Sequence, residues 1–448
     1  MKPQRPTRFT LLSGGRIVDP ATGRDEVGDL LLERDRIVSL GRIPSPPRED
    51  VETLSVDGLV VAPGLIDMHV HLREPGNAEE ETIWSGSRAA IAGGVTTMAC
   101  FPNTEPAVDN DAAAEFVVLQ GKRAGLANVY PVGAVTLGRE GLRLAEMGGL
   151  ARAGAVAFSD ADRTIRSAEV MRRGLLYAKM FDLPVISHCE DPDLRGVGVM
   201  NYGKVALRLG LPGIPDVAED IVLARDLLLA EITQGRLHVG HMSTRGSVRL
   251  LREAKSKGVA VTGEVTPPHF ALTEESLLNY DPNFKLVPPL RTAADAEALV
   301  EGLRDGVIDV ICSGHAPHSL EEKELGLVYA PPGAVGLESL FCVSYTVLSE
   351  RYGFPLIRVL EKMTIQPAKI LKLAGDRGSL EPGKVADIAV FDVSTERSIH
   401  ASRFQSKSRN TCFEGFRGKG SAAHVFVGGR AVLRNGEFVE ASGTPSAP

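Results

Sequence analysis

Between about residue 63 and residue 375, short apolar runs alternate with longer helical stretches, and this alternation constrains the fold more than any other feature of the chain. Eight runs read as strands: Gly64–His69, Thr96–Phe101, Val129–Val135, Ala155–Ser159, Pro184–His188, Leu237–His241, Val259–Glu264 and Ile308–Ser313. Segments of helical spacing lie between them, among them Asp111–Ala124, Ser167–Phe181, Val217–Thr233, Arg245–Lys257 and Ala293–Asp305. Strands that alternate with helices build a parallel sheet, and eight such units predict a closed (β/α)8 barrel of the TIM type. Such a barrel takes about 250 residues or more. The 448 residues therefore leave room for a smaller module.

The chain ends supply that module. Leu11–Asp19 and Asp29–Leu40 read as strands around Gly turns, followed by a Pro-rich loop at Pro44–Asp50. Ala386–Phe391 and His424–Val427 repeat the style, with Gly428-Gly429 as a turn. We expect one small β-sandwich domain made from residues 1–62 and 376–448, with the barrel, residues 63–375, inserted between them. The polar tail after Glu440 is expected to fray.

Composition excludes several function classes. The apolar share of 43% and charged share of 24% are those of a soluble globular protein. A net charge of −7 with no long basic run argues against nucleic acid or anionic membrane as partners. No run approaches the roughly 18 apolar residues of a membrane span, and the basic stretch Met1–Thr10 lacks the features of a signal peptide. The five cysteines, Cys100, Cys189, Cys312, Cys342 and Cys412, form no CxxC pair and are expected as free thiols in a cytoplasmic protein.

The chemistry is read from the strand ends. His69 and His71 form an HxH pair closing the first run, and residues i and i+2 of a strand share a face. Asp160 ends the fourth run, His188 the fifth and His241 the sixth. Barrel active sites lie at the C-terminal ends of the strands, so these five candidate ligands converge. Imidazole and carboxylate donors suit zinc, one or two ions per chain, and no thiolate ligand stands among them. A metal there lowers the pKa of bound water to about 7 and polarises a carbonyl, which is machinery for hydrolysing an amide or ester. Arg73, Asn103 and His318 follow the first, second and eighth runs; Arg binds carboxylates through paired hydrogen bonds, so a small acid is the expected substrate.

The run Pro63–Gly76, with its core Asp67-Met68-His69-Val70-His71-Leu72-Arg73-Glu74-Pro75-Gly76, resembles the opening signature of the dihydroorotases. Further matches follow in order: Ala92–Thr97, Pro102-Asn103-Thr104, Ser187–Asp191, Gly240–Thr244, Pro288–Arg291, His315-Ala316-Pro317-His318 and Ser406–Thr411. They span nearly the whole chain. The HxH alone is shared by hydantoinases and allantoinases.

The resemblance implies zinc-dependent, reversible cyclisation of N-carbamoyl-L-aspartate to dihydroorotate in pyrimidine synthesis. It implies zinc on His69, His71, Asp160, His188 and His241. Asp160 would stand where many relatives of the fold use a carboxylated lysine. It also implies substrate contacts from His71, Arg73, Asn103, His318, Pro332 and Gly333. A homodimer, or a complex with aspartate transcarbamoylase, accompanies this reading.

Two positions depart from the family, of which Val287, before Pro288-Pro289, weighs little. Before His315-Ala316-Pro317-His318 the family has an Asp that ligates metal and carries a proton; here Gly314 stands in that catalytic position and can do neither. Asp309, five residues earlier on the strand, is roughly 16 Å away, and Glu264 is the nearer acid. Three readings follow: a dihydroorotase with reduced turnover, a non-catalytic homologue that assembles with aspartate transcarbamoylase, or another cyclic-amide hydrolase of hydantoinase or allantoinase type.

Overall fold

The computed structural model describes residues 8–43 and 50–439. Most of the expected Pro44–Asp50 loop, the tail from Glu440 and most of the basic N-terminus lie outside the described residues.

Eight parallel strands form the barrel: β1 (Leu65–Val70), β2 (Val95–Cys100), β3 (Asn128–Gly133), β4 (Ala157–Phe158), β5 (Val185–His188), β6 (Leu237–Gly240), β7 (Val261–Val265) and β8 (Val310–Ile311). They pair in sequence order in one sheet. A parallel bridge between Val70 and His315 brings the β8 side back to β1, with His71 N–H donating to His315 O at 2.9 Å. Residues of the strands and their ends, among them Ile66, Met68, Ala99, Phe101, Val132, Ile186 and Val310, pack into one buried cluster. The barrel is thus a filled core, and chemistry is confined to its mouth.

The strands β4 and β8 are shorter than the runs Ala155–Ser159 and Ile308–Ser313 suggest. At both ends a side chain takes over from the ladder. Ser313 N–H is accepted by Asp67 Oδ2 at 3.1 Å rather than by a neighbouring carbonyl. Beyond β4, Asp160 turns back to accept from the backbone that follows β3.

The outer helices start where their caps dictate. Asn110, Ser167 and Thr244 accept from the N–H three residues on, opening the helices Asp111–Ala124, Ala168–Lys179 and Arg245–Ser256. Thr292 and Asp295 form a reciprocal capping box before Ala293–Arg304.

Both chain ends enter one nine-stranded sheet. Val60–Pro63 pairs antiparallel with Ile388–Asp392, which joins the first five strands of the chain to the last. Leu12, Ile17, Leu30, Leu32, Ile388, Val390 and Phe426 form its buried cluster. No helix of the described residues is long and apolar enough to cross a membrane.

Candidate metal centre and substrate pocket

A cavity of about 290 Å³ opens at the C-terminal ends of the strands, a size suited to a small metabolite. His69, His71, His188 and His241 all line it. They come from the ends of β1, β5 and β6, as the strand periodicity requires.

The hydrogen bonds behind the rings decide which nitrogen each presents. Glu264, at the end of β7, is fully buried beneath them. Its carboxylate accepts from Nδ1 of His69 in a short contact and lies 3.1 Å from Nδ1 of His241. Its second oxygen lies 3.2 Å from Nε2 of His238. Burial alone would push the Glu264 carboxyl up, but the surrounding His69, His238 and His241 hold it well below its usual value. His71 donates from Nδ1 to Asn103 Oδ1 at 2.6 Å. Burial, then His241, pushes His69 down to about 4, and burial likewise lowers His71. Both rings are therefore neutral near pH 7. With Nδ1 carrying the proton, Nε2 is left as a lone pair.

His188 adds a buried Nε2 with no hydrogen-bond partner. The His69 and His241 rings stack at 3.8 Å, and His69 rests on Phe101 at 3.7 Å, so packing fixes the orientations. Fixing the second ring nitrogen with a buried acceptor is how proteins prepare an imidazole for a metal. The donor set fits a metal ion. Ligand atoms of His69, His241, Glu264 and Cys312 also lie within 4.8 Å of one another. Sequence reasoning passed over Cys312. Burial pushes its thiol well above the ordinary value, so it stands there as a neutral SH.

Asp160 is placed differently from the expectation. It is buried and does not line the cavity. One oxygen accepts from Val135 N–H and Thr136 N–H at 2.9 Å each, and the other from the Thr136 hydroxyl. Three donors hold it as a tie between the ends of β3 and β4, with its side chain off the cavity lining. The cavity instead meets Ala161 and Asp162. Asp162 is the one carboxylate residue lining it among the described residues, and it is held by Arg139 at 2.7 Å. Asp162 is exposed at the rim, and Arg139 outweighs what desolvation it suffers and keeps it below the usual carboxylate range.

Gly314 lines the cavity with φ +60°, and a Cβ there would sit 2.9 Å from Thr266 Cγ2 and 3.0 Å from His241 Nε2. The missing acid is thus matched by a backbone that disfavours a side chain. Glu264 is sealed under the imidazoles, and Asp309 is bound to Lys255 at 2.7 Å and to Gly263 N–H. Neither acid lines the cavity.

The anion binders gather beside the imidazoles, around Arg73. Arg73 Nε and Nη2 donate to Pro317 O at 3.1 and 3.0 Å. Glu80, buried behind it, lies 2.9 Å from Nε without hydrogen-bond alignment, because that N–H points at Pro317. Glu80 offsets the burial of the guanidinium, while the far edge of Arg73 faces the cavity. Asn103 gives its oxygen to His71 and keeps its NH2 for a ligand. His318 is pinned between Glu322 at 3.2 Å and Pro332 O at 3.0 Å; burial, then Arg73, lowers it to about 4. Pro332 and Gly333 line the cavity, but Gly333 N–H is already donated to Lys285 O at 2.9 Å. Arg195, at the end of a short helix after β5, adds a cation that sequence reasoning did not single out.

The barrel, its histidine array and the facing arginine define a cyclic amidohydrolase. Solved structures agree on the fold: L-hydantoinase (dihydropyrimidinase) from Arthrobacter aurescens matches with TM-score 0.86 at 24% identity, over 96% of this chain and 97% of that one. Dihydropyrimidinase from Brevibacillus agri matches with TM-score 0.83 at 22% identity, over 96% of each chain. A Dihydro-orotase-like family model matches residues 58–247 and an Amidohydrolase family model residues 224–437. Dihydroorotases from Geobacter metallireducens and Pelotomaculum thermopropionicum are each 48% identical over 425 residues, covering 95% of this chain and 99% and 98% of theirs. The chain belongs to the dihydroorotase family.

Proposed function

We propose that this chain binds one zinc ion through His69, His71, His188 and His241 and takes dihydroorotate or N-carbamoyl-L-aspartate at the same mouth. On this reading it interconverts the two slowly, as a step of pyrimidine synthesis. The observation that carries this is the set of four imidazoles lining one cavity that Arg73 also lines. When bound, the ion would supply Lewis acidity to the ring amide and lower the pKa of water.

The protein's own residues divide the remaining work. Arg73 and Asn103 hold the substrate carboxylate, Glu264 and Asn103 hold the imidazole tautomers, and Phe101 floors the site. A second ion is disfavoured by charge. Two dications about 3.5 Å apart repel by on the order of 20 kcal/mol at an effective dielectric of about 20. The hydrogen bonds that Asp160 accepts from Val135 and Thr136 disfavour it as a bridging carboxylate.

Proton transfer is the weak link. The leaving amide nitrogen needs a proton, and Asp162, the one carboxylate lining the cavity among the described residues, is held low by Arg139. Losing a general acid–base group costs about 10²–10⁴-fold in rate. The non-catalytic alternative rests on the same two positions, Asp160 and Gly314. One experiment separates the readings: dihydroorotate hydrolysis and dihydroorotate binding, measured on one zinc-loaded sample. Binding with slow turnover is expected. Binding with no turnover above the metal-free protein supports the non-catalytic reading, and no binding at all defeats both.

A further inference from the structure

Glu80 is a buried carboxylate just behind the cavity wall, and its Oε2 has no hydrogen-bond donor among the described residues. That oxygen lies 2.9 Å from Nε of Arg73, yet Nε and Nη2 both point at Pro317 O. On the other side His318 Nδ1 stands 3.9 Å from Glu80 Oε2 and 3.2 Å from Glu322 Oε2. One acceptor atom from each of Glu80, His318 and Glu322 lies within 4.8 Å of the other two.

The hydrogens of this cluster can be counted. His318 Nε2 lies 3.0 Å from Pro332 O, a pure acceptor, so that nitrogen carries the ring proton. Burial, then Arg73 and Lys323, lower the ring to about 4 and leave it neutral near pH 7. Nδ1 is therefore a lone pair, and it faces two carboxylates. Glu322 Oε2 accepts from Ser319 N–H at 3.2 Å, which supplies no hydrogen to the other two. Three buried acceptors that converge without a hydrogen oppose one another. One proton on Glu80 resolves the conflict. Turned towards His318, its O–H reaches Nδ1 by closing about 1 Å. The half-exposed Glu322 side chain opens the cluster to solvent.

We propose that Glu80 is the internal counter-ion that a substrate carboxylate displaces from Arg73, and that it gives way by taking a proton from solvent, so that binding and proton uptake are linked. The inference rests on the reading that Arg73 receives the substrate carboxylate. Ionised, Glu80 neutralises the guanidinium; protonated, it leaves that charge to the ligand. Both forms are accessible, because burial raises Glu80 to about 7 while Arg73 pulls it down and Glu322 and Glu79 push it up. From the β4 side Asp162 and Arg139 act on Arg73 with opposite signs. Lys407 and Arg409 flank Ser408, whose hydroxyl donates to Glu80 O, and both are turned onto carbonyls, of Ala78 and of Ser406 and Ser408. Below about pH 7 Glu80 already holds its proton when the ligand arrives. Above it the proton must be taken up, so affinity falls as pH rises.

The test is calorimetry of dihydroorotate binding to the zinc-loaded full chain, for the parent and for Glu80→Gln. The parent is expected to bind about tenfold more weakly at about pH 8.5 than at about pH 6.5. At about pH 7.5 it should take up about half a proton, read from two buffers of different ionisation enthalpy. Glu80→Gln, neutral at every pH, should lose that uptake and bind at about pH 8.5 at least as tightly as the parent does at about pH 6.5. A merely structural role would weaken Glu80→Gln at every pH. Zinc is present in both proteins, so titration of its water cancels in the comparison. Glu322→Gln covers the case where Glu80→Gln does not fold: with the like charge gone, the fall in affinity should move to lower pH. Binding that is flat with pH in the parent, a pH dependence that Glu80→Gln keeps, or an unmoved Glu322→Gln profile overturns the proposal and leaves the proposed function standing. Absence of binding in the parent overturns the proposed function and this inference with it.

Discussion

The mouth of the barrel has two unlike halves. From β1, β5 and β6, His69, His71, His188 and His241 line one cavity, with His69 and His71 fixed by hydrogen bonds to Glu264 and Asn103 and His69 packed on Phe101. After β4 and β8 the positions that should bring acid to the reaction do not: Asp160 faces the backbone, and Gly314 has no side chain. The difference separates two tasks that one site usually combines. Holding a metal needs neutral donors in fixed orientation, and that half is intact. Moving a proton needs a group at the cavity surface that can change its charge, and among the described residues the one carboxylate there is Asp162, held low by Arg139.

The largest effect should come from breaking the intact half. Glu264→Gln removes the anion shared by three imidazoles. Losing an outer partner of this kind costs about 10–100-fold in metal affinity. Losing the buried carboxylate's charged hydrogen bonds costs about 1.5–3 kcal/mol of stability as well. Chelator competition and thermal denaturation read the two.

Restoring the deficient half should give a smaller, mixed result. Gly314→Asp is expected to raise kcat by up to about 10²-fold if the new carboxyl reaches the cavity. It should also lose about 1–2 kcal/mol to the left-handed backbone. Steady-state kinetics with a matched melting curve checks both. No gain in a folded, zinc-loaded variant would mean that the β4 side must be rebuilt too.

Arg73→Ala sharpens the substrate side. It should raise KM about 30-fold or more, the order of a 2 kcal/mol loss of a buried charged contact, and leave zinc content unchanged. Acid should act on the imidazole half of the metal-free protein. His69 titrates near 4 when folded and near 6.5 when unfolded, so below 6.5 the unfolded chain binds a proton that the folded chain does not. Stability therefore falls as pH drops from about 6.5 towards 4, by about 3 kcal/mol for this one group. Urea titrations across that range measure it.

The sequence made the imidazole half legible for a physical reason. Strand periodicity places His69 and His71 on one face, and strand ends in a barrel share one mouth, so His188 and His241 could be placed without knowing any contact. Asp160 could not be read this way. A carboxylate at a strand end serves equally well as a ligand or as an acceptor for the next strand's free N–H groups, and only the orientation after β4 decides. Glu264 was visible as an acid ending its run, but its task beneath the rings depends on three side chains from two other strands. Asp162, Arg195 and Cys312 carry no spacing signal; tertiary packing alone brings them to the site. The ladder lengths of β4 and β8 failed for a related reason, since side chains such as Asp67 replace backbone partners there.

The central claim is that the site keeps a metal on imidazoles alone. The most direct measurement is the number of zinc ions per chain by elemental analysis, after zinc loading and gel filtration, in the parent and in Asp160→Asn. The account predicts one ion in both proteins, with Asp160→Asn less stable by about 1.5–3 kcal/mol for its lost charged hydrogen bonds. Two ions in the parent, or an ion lost from folded Asp160→Asn, would contradict it.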